Sequence, residues 1–267
     1  MVNDYREKHT FVICAYKESP YLEECICSLK RQKTVSSLLM TTSTPNVYIR
    51  KLAKKHKIPL RINEGEAGIV QDWNFAYSQC TTPYITIAHQ DDVYFPDYSE
   101  HAVNALDKAK KPLIYFTNYC EVRGNEKVCK NKILRVKRTL LFALRNKYLQ
   151  QSRFVRRRLL SLGAVICCPA VTFARGNLPD PVFTVRYRSC EDWEAWERLS
   201  RLKGAFVYDS SIQMGHRIHE QSETSVILSE NGRVQEDFEM FCKFWPKPIA
   251  CILTKIYSCS EKSNHLN

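Results

Sequence analysis

Apolar residues along the chain alternate between short continuous runs and stretches with a helical repeat. "HTFVICAY" (9–16) has the length and composition of a strand buried on both faces. "SPYLEECICSLKRQ" (19–32) follows with Leu22, Cys25, Ile26 and Leu29 on one helical face, Ser19 at the N-cap and Pro20 at the first helical position. The same pairing then recurs. "SLLMTTST" reads as a strand before the amphipathic basic helix "PNVYIRKLAKKHKI", and "PLRIN" as a short strand before "GIVQDWNFAYSQC", which is helical after Gly68. "PYITIA" and "PDYSEHAVNALDKAK" form a third such pair, and "PLIYFTNYCEVR" adds a strand. This alternation predicts a doubly wound, mostly parallel, Rossmann-like α/β sheet, in which ligands bind beyond the carboxyl ends of the strands.

The rhythm breaks over 125–163, which is basic and carries Leu140, Leu141, Phe142 and Leu144 in a helical cluster. A strand-like "AVICCPAVTFAR" (164–175), a Pro/Gly loop "GNLPDPVF", a helix "EDWEAWERLSRL" and a strand "AFVY" (205–208) come next, then the polar "MGHRIHEQSET". The pattern divides into a first half (1–125), a basic helical insertion (126–163), a second half (164–225) and a helical C-terminal segment (226–267) to which the sequence assigns no function.

Charge sharpens one part of this picture. Lys127 to Arg158 contains twelve Lys or Arg and no Asp or Glu, which equals the whole excess of 40 basic over 28 acidic residues. One surface is therefore expected to meet anions, whether phosphate groups, acidic lipid or nucleic acid, and an anionic membrane face through 127–158 is one such partner. A solvated basic helix pair is the ordinary structural alternative. The twelve cysteines are scattered through apolar runs with no CxxC spacing, which fits reduced thiols better than a disulfide framework or a structural zinc site. No apolar run approaches the ~20 residues of a membrane span and the N-terminus has no secretory pattern, so the expected location is cytoplasmic, peripheral on the inner face of the membrane.

Three stretches carry candidate chemistry. "YITIAHQDDVYFP" places Asp91 and Asp92 side by side where a strand ends; adjacent carboxylates repel unless a cation lies near them, and hard divalent ions prefer such oxygens. A capped helix start or solvated turn would look similar. "RSCEDWEAWERL" puts Glu191 and Asp192 in the first turn of a helix, where the dipole alone favours acids by ~0.3–1 kcal/mol. "GHRIHEQSET" offers His219 as a neutral imidazole ligand and Arg217 as a phosphate partner, although a loop His is commonly just solvated. No GxxxxGK[ST] or GxGxxG occurs, so neither a P-loop nor an ordinary dinucleotide site is supported.

Taken together these segments resemble the bacterial-type family-two glycosyltransferases of the GT-A fold, across nearly all of residues 10–225. "FVICAYKESPYLEECICSLKRQ" is similar to the family's opening strand and helix, with Ala15, Tyr16 and Glu18 at nucleotide-contacting positions and Ser28, Leu29 and Gln32 recurring. Gly68 to Asp92 matches the stretch from the family's glycine to its metal motif without a gap, which brings Asp72, Asn74 and Gln90 into the nucleotide-sugar set. "EDWEAWERL" is similar to the Glu-Asp signature, and "RIHEQS" to the late Arg-x-His segment near the diphosphate.

The resemblance implies a metal-dependent, inverting, hexosyltransferase-like enzyme of cell-surface polysaccharide synthesis, using a nucleotide-sugar donor and a glycan or lipid-linked acceptor, with no nucleic-acid partner. Asp91, Asp92 and His219 would hold Mn²⁺ or Mg²⁺, Asp91 and Arg217 would face the donor, and Asp192 would be the general base. Glu191, Trp193, Cys168 and Pro169 would border the acceptor. Two positions depart from the pattern. His89 stands where the first acid of the metal motif belongs, as a substitute ligand or a ribose contact. Thr42 and Ser43 stand where an Asp reads the nucleobase, so a UDP-sugar is only the default. A metal-dependent nuclease or nucleotidyltransferase would also use paired acids and a basic surface, and a catalytically silent relative would fit the altered motif.

Overall fold

The computed structural model describes residues 3–219 and 233–265, the last seven by their helical path alone. Nine strands form one sheet in the order β3-β2-β1-β4-β8-β6-β9-β5, with β7 beside β6. The first four, β1 (His9–Cys14), β2 (Ser37–Thr42), β3 (Leu60–Ile62) and β4 (Tyr84–His89), run parallel. Helices α1 (Leu22–Lys30), α2 (Val47–His56) and α3 (Ile69–Ser78) link them as the alternation predicted. After β5 (Val93–Tyr94) and α4 (Tyr98–Lys108), β6 (Pro112–Arg123) turns back through β7 (Glu126–Val128). Then come α5 (Lys132–Leu140), α6 (Arg153–Leu160), β8 (Val171–Ala174), α7 (Glu191–Ser200) and β9 (Ala205–Ile218). Helices α8 (Arg233–Cys242) and α9 (Lys247–His265) close the chain. Strands from both expected halves share this sheet, and β6 lies parallel to β9 along most of its length.

The runs are continuously apolar because the sheet is covered on both faces. Phe11, Ile13 and Ala15 point into one core with Leu22, Cys25, Ile26 and Leu29 of α1, while Val12, Ile85, Ile87 and Phe116 point into the other with Trp73, Trp193 and Trp196. The eleven described cysteines are all free.

Local expectations fail where tertiary contacts decide. Ser19 does not cap α1: its hydroxyl accepts from the Tyr21 N–H in a preceding turn at 3.3 Å, and the helix opens at Leu22. Residues 164–175 give only the four-residue β8, antiparallel to β4 and β6, because Pro169 lies in a 3-10 turn over Cys168–Ala170. β9 extends well beyond Tyr208, so His216 and Arg217 lie on a strand, paired with Glu121 and Val122 of β6. Gly215 makes the close approach possible, since a Cβ there would lie 2.6 Å from Val122 Cγ2. The boundary at 225/226, and Glu220, Gln221 and Ser222 of the "RIHEQS" segment, fall outside the described residues.

Candidate active site

The acid pair sits where β4 ends, and β5 pairs antiparallel with β9 through Val93–Gly215 and Tyr94–Met214. That pairing carries residues 216–219 across the carboxylates. Asp92 is fully buried; its Oδ1 accepts the Arg217 N–H at 2.8 Å and lies 3.1 Å from His216 Nδ1. Burial opposes protonation of His216, but the Asp92 carboxylate outweighs it and raises that pKa above the usual value. Asp91 instead meets His219, Oδ2 to Nε2 at 2.9 Å. Burial works against its ionisation too, yet the His219 bond and the nearby His89 and His216 hold its pKa below the ordinary value. The two acids thus avoid mutual repulsion by taking separate partners. In this arrangement Asp92 points inward and fixes the end of β9, while Asp91 faces His219.

Arg217 is likewise engaged within the fold. It is 4% exposed; its Nε donates to the Asp91 carbonyl at 2.8 Å, its Nη1 to the Gly124 carbonyl at 3.3 Å and its Nη2 to Glu24. Its guanidinium also lies 4.4 Å from the Tyr21 ring centroid. A charge so used fixes the turn at Asp91. Glu24 and Tyr21 were missed from sequence, because their acid and aromatic types look like ordinary features of the start of α1.

The carboxyl ends of β1 to β3 meet beside this turn. Gln90 clamps the Tyr16 backbone from both sides, accepting its N–H at 2.9 Å and donating to its carbonyl at 3.0 Å. Asp72, in the first turn of α3, accepts from the Ser43 hydroxyl at 2.6 Å and from Asn63 Nδ2 at 2.8 Å. Thr42 and Ala15 are buried, whereas Tyr16 and Glu18 are exposed. Thr44, which sequence reasoning passed over, accepts the Lys17 N–H at 2.6 Å and holds that left-handed turn (φ 53°). Asn74 does not enter this crevice. Its amide pairs with both backbone groups of Phe183, at 2.9 and 3.0 Å, tying α3 to the loop before α7.

Glu191 and Asp192 open α7. Asp192 Oδ1 accepts from the Trp193 N–H at 2.6 Å, and burial, partly offset by the charges of Arg233 and Lys137, raises its pKa. In Glu191, burial, then the Asp192 charge, pushes the pKa up to about 8. Trp193 is fully buried, donates its indole N–H to the Leu160 carbonyl at 2.9 Å and packs on Phe241, so it anchors α7 and does not border an acceptor. Cys168 and Pro169 are also buried; the Cys168 thiol is held protonated by burial and by the charge of Asp192, and the Pro169 carbonyl accepts from the Tyr94 hydroxyl at 2.7 Å.

His89 links the two acid sites. Its ring stacks on Trp73 with centroids 5.2 Å apart, its Nε2 is buried without a hydrogen-bond partner, and burial keeps its pKa low despite the charges of Asp91, Asp92 and Asp192 around it. Lys137 of the basic insertion turns inward and donates to the Tyr119 hydroxyl at 3.1 Å, and its charge reaches both Asp192 and His216. Sequence reasoning had grouped Lys137 with the surface cations. Its three- and four-residue spacing from Leu134 and Leu141 was the available signal.

An orphaned polar atom and an Asp–His pair at the carboxyl ends of parallel strands suit a ligand that brings oxygens of its own. Among the described residues no three His, Cys, Asp or Glu side chains form a complete metal cage. Mg²⁺ and Mn²⁺ do not require one, since they are commonly held by one or two protein ligands with substrate phosphates and water. Asp91 and His219 fit that pattern.

These features are those of a GT-A fold. The sequence pattern of glycosyl transferase family 2 matches residues 10–175, more than half of the chain, and the protein belongs to that family. A search of curated proteins finds no match. Among solved structures, S. aureus TarS 1–349 in complex with UDP-GlcNAc superposes with TM-score 0.57 at 14% identity, covering 87% of this chain. The present chain spans 64% of that structure. The mannosyltransferase PcManGT from Pyrobaculum calidifontis, in complex with GDP-Man and Mn²⁺, gives TM-score 0.57 at 15% identity, over 95% of this chain and 70% of that one. Glucosyl-3-phosphoglycerate synthase from Mycobacterium tuberculosis, in complex with phosphoglyceric acid, gives 0.52 at 13%, over 80% and 73%. At such identities the likeness is one of fold.

Proposed function

We propose that the protein is a metal-dependent, inverting glycosyltransferase that moves a hexose from a nucleoside diphosphate to a hydroxyl of a glycan or lipid-linked acceptor in cell-surface polysaccharide synthesis. The observation that carries this reading is the convergence of the Asp91–His219 pair and Asp192 around neutral His89, at the carboxyl ends of the parallel strands. Asp91 and His219 would hold Mn²⁺ or Mg²⁺. When bound, such an ion neutralises charge on the departing diphosphate. The buried, unpartnered Nε2 of His89 would gain a partner from the donor sugar or ribose if ligand entry uncovered it. Asp72, Ser43 and Asn63 shape the nucleotide crevice; a UDP-sugar is the default donor and no more, because Thr42 and Ser43 stand where a carboxylate would read the base.

Asp192 removes the acceptor proton as the hydroxyl attacks the anomeric carbon from the face opposite the leaving group, so configuration inverts. Its raised pKa makes it a stronger base, once ionised, than a solvated carboxylate. Glu191, whose pKa burial and then the Asp192 charge push up to about 8, favours its protonated form beside Asp192 near neutral pH. Asp192→Asn should lower turnover by ~10²–10⁴-fold and leave donor binding intact. Full turnover in that variant, or a product of retained configuration by NMR, would remove Asp192 from the role. A second reading, a silent relative that binds a partner, is favoured by one observation: the full internal engagement of Arg217. It predicts no stabilisation by any nucleotide.

A further inference from the structure

The basic insertion divides into engaged and open cations. Arg156 is buried and donates to the Ser200 and Leu202 carbonyls, capping the carboxyl end of α7, and Arg157 pairs with Glu197. Lys137 faces the active site. On the other side of α5 and the 3-10 turn that follows, Asn131, Arg135, Arg138, Phe142 and Arg145 recur at intervals of three and four. With Lys130 they line an open cavity of about 350 Å³. Arg138 is held in place by the carbonyls of Cys129 and Tyr119. Among the described residues no carboxylate pairs with Lys130, Arg135 or Arg145, and the segment 127–158 contains no acid. Four cations gathered without a counter-charge repel one another until an anion enters, and arginine forks match phosphate oxygens.

A second observation says what carries the anion. Val136, Phe142, Tyr148 and Phe154 are all exposed, and all belong to this one segment. Phe142 and Phe154 each carry a guanidinium beside the ring, Arg145 at 5.4 Å and Arg158 at 5.5 Å. Exposed aromatic rings interleaved with cations are the composition of a surface that enters the headgroup layer of an anionic bilayer. A soluble phosphate would require the cations and leave the apolar rings unexplained.

We propose that the basic face of α5 and the 3-10 turn after it docks on an anionic phospholipid bilayer, with a lipid phosphate seated among Lys130, Arg135, Arg138 and Arg145 and with Phe142, which lines the same cavity, inserted beside it. The proposal rests on the transferase reading only for its purpose, which is to bring a lipid-linked acceptor to Asp192. Phosphatidylcholine vesicles with and without phosphatidylglycerol, in low and high salt, provide the test by co-sedimentation. Binding is expected only with phosphatidylglycerol, weakening as salt rises. Arg135→Gln/Arg145→Gln should weaken it about 25-fold, from about fivefold per cation, and Phe142→Ser should weaken it independently while both variants melt like the wild type. Asp192→Asn should bind vesicles normally, so loss of transfer and loss of docking are read apart. Four results would overturn the proposal: no binding to anionic vesicles in low salt, equal binding by the double variant, saturation by inorganic phosphate without vesicle binding, or preferential binding of a single-stranded oligonucleotide.

Discussion

Replacing Glu191 with glutamine tests the electrostatics of the α7 head in isolation. Glu191 is 8% exposed, its Oε2 lacks a hydrogen-bond partner, and burial with the adjacent Asp192 raises its pKa from 4.5 to about 8. In the unfolded chain the carboxyl returns to its ordinary value. Between those two values the folded protein holds a proton that the unfolded chain has released. Stability therefore declines as pH rises from about 4.5 to about 8 and levels off above. The gap between 8 and 4.5, at about 1.36 kcal/mol per pH unit, corresponds to roughly 4–5 kcal/mol. That is a large share of the ~5–15 kcal/mol that holds an ordinary protein folded. Glutamine keeps the shape of the protonated acid and cannot ionise. In urea unfolding followed by tryptophan fluorescence, Glu191→Gln should match the wild type to within ~1 kcal/mol near pH 5 and exceed it by several kcal/mol near pH 9. A difference between the two proteins that stays constant with pH would refute the raised pKa and with it the neutral partner assigned to Asp192.

Two further outcomes follow from the same geometry. Lys137→Met removes a charge that lowers the Asp192 pKa, so the acidic limb of the pH–rate profile should move to higher pH, and an unchanged limb would detach Lys137 from the base. Asp92→Ala leaves the Arg217 N–H and His216 without their buried acceptor and should cost ~3–5 kcal/mol of stability by denaturant unfolding, far more than Asp92→Asn, which keeps an oxygen in place.

The alternating half of the fold was legible because each strand and helix there carries its own periodicity. Leu22, Cys25, Ile26 and Leu29 could be read as a buried face from spacing alone, and they form one. β9 was underestimated because Asp209, Ser210 and Ser211 interrupt its apolar run, and only pairing with β6 carries the strand through to Ile218. The site was legible to the extent that a residue's role follows from its type. Asp91, His219 and Asp192 stand out by type; in the structure Asp91 meets His219, and both Asp91 and Asp192 act electrostatically on His89. Asp92, Arg217 and Trp193 carry equally suggestive side chains, but the fold turns them inward, which no local pattern records. Asn74 illustrates the same limit, since its partner Phe183 is 109 residues away. The uniform charge of 127–158 likewise hid a division that only the helix faces reveal.

The central claim is that Asp91 and His219 serve a nucleotide bound through a divalent ion, and thermal unfolding tests it most directly. UDP, GDP, CDP, dTDP and ADP would each be added with Mn²⁺, Mg²⁺ or EDTA to the wild type, Asp91→Ala and Asp192→Asn. A nucleotide at about 100 times its dissociation constant contributes ~2.7 kcal/mol, which displaces a melting curve by several degrees. One nucleotide should stabilise the wild type and Asp192→Asn with metal, fail with EDTA, and fail with Asp91→Ala. Melting curves of the wild type that no nucleotide displaces with either ion would contradict the account.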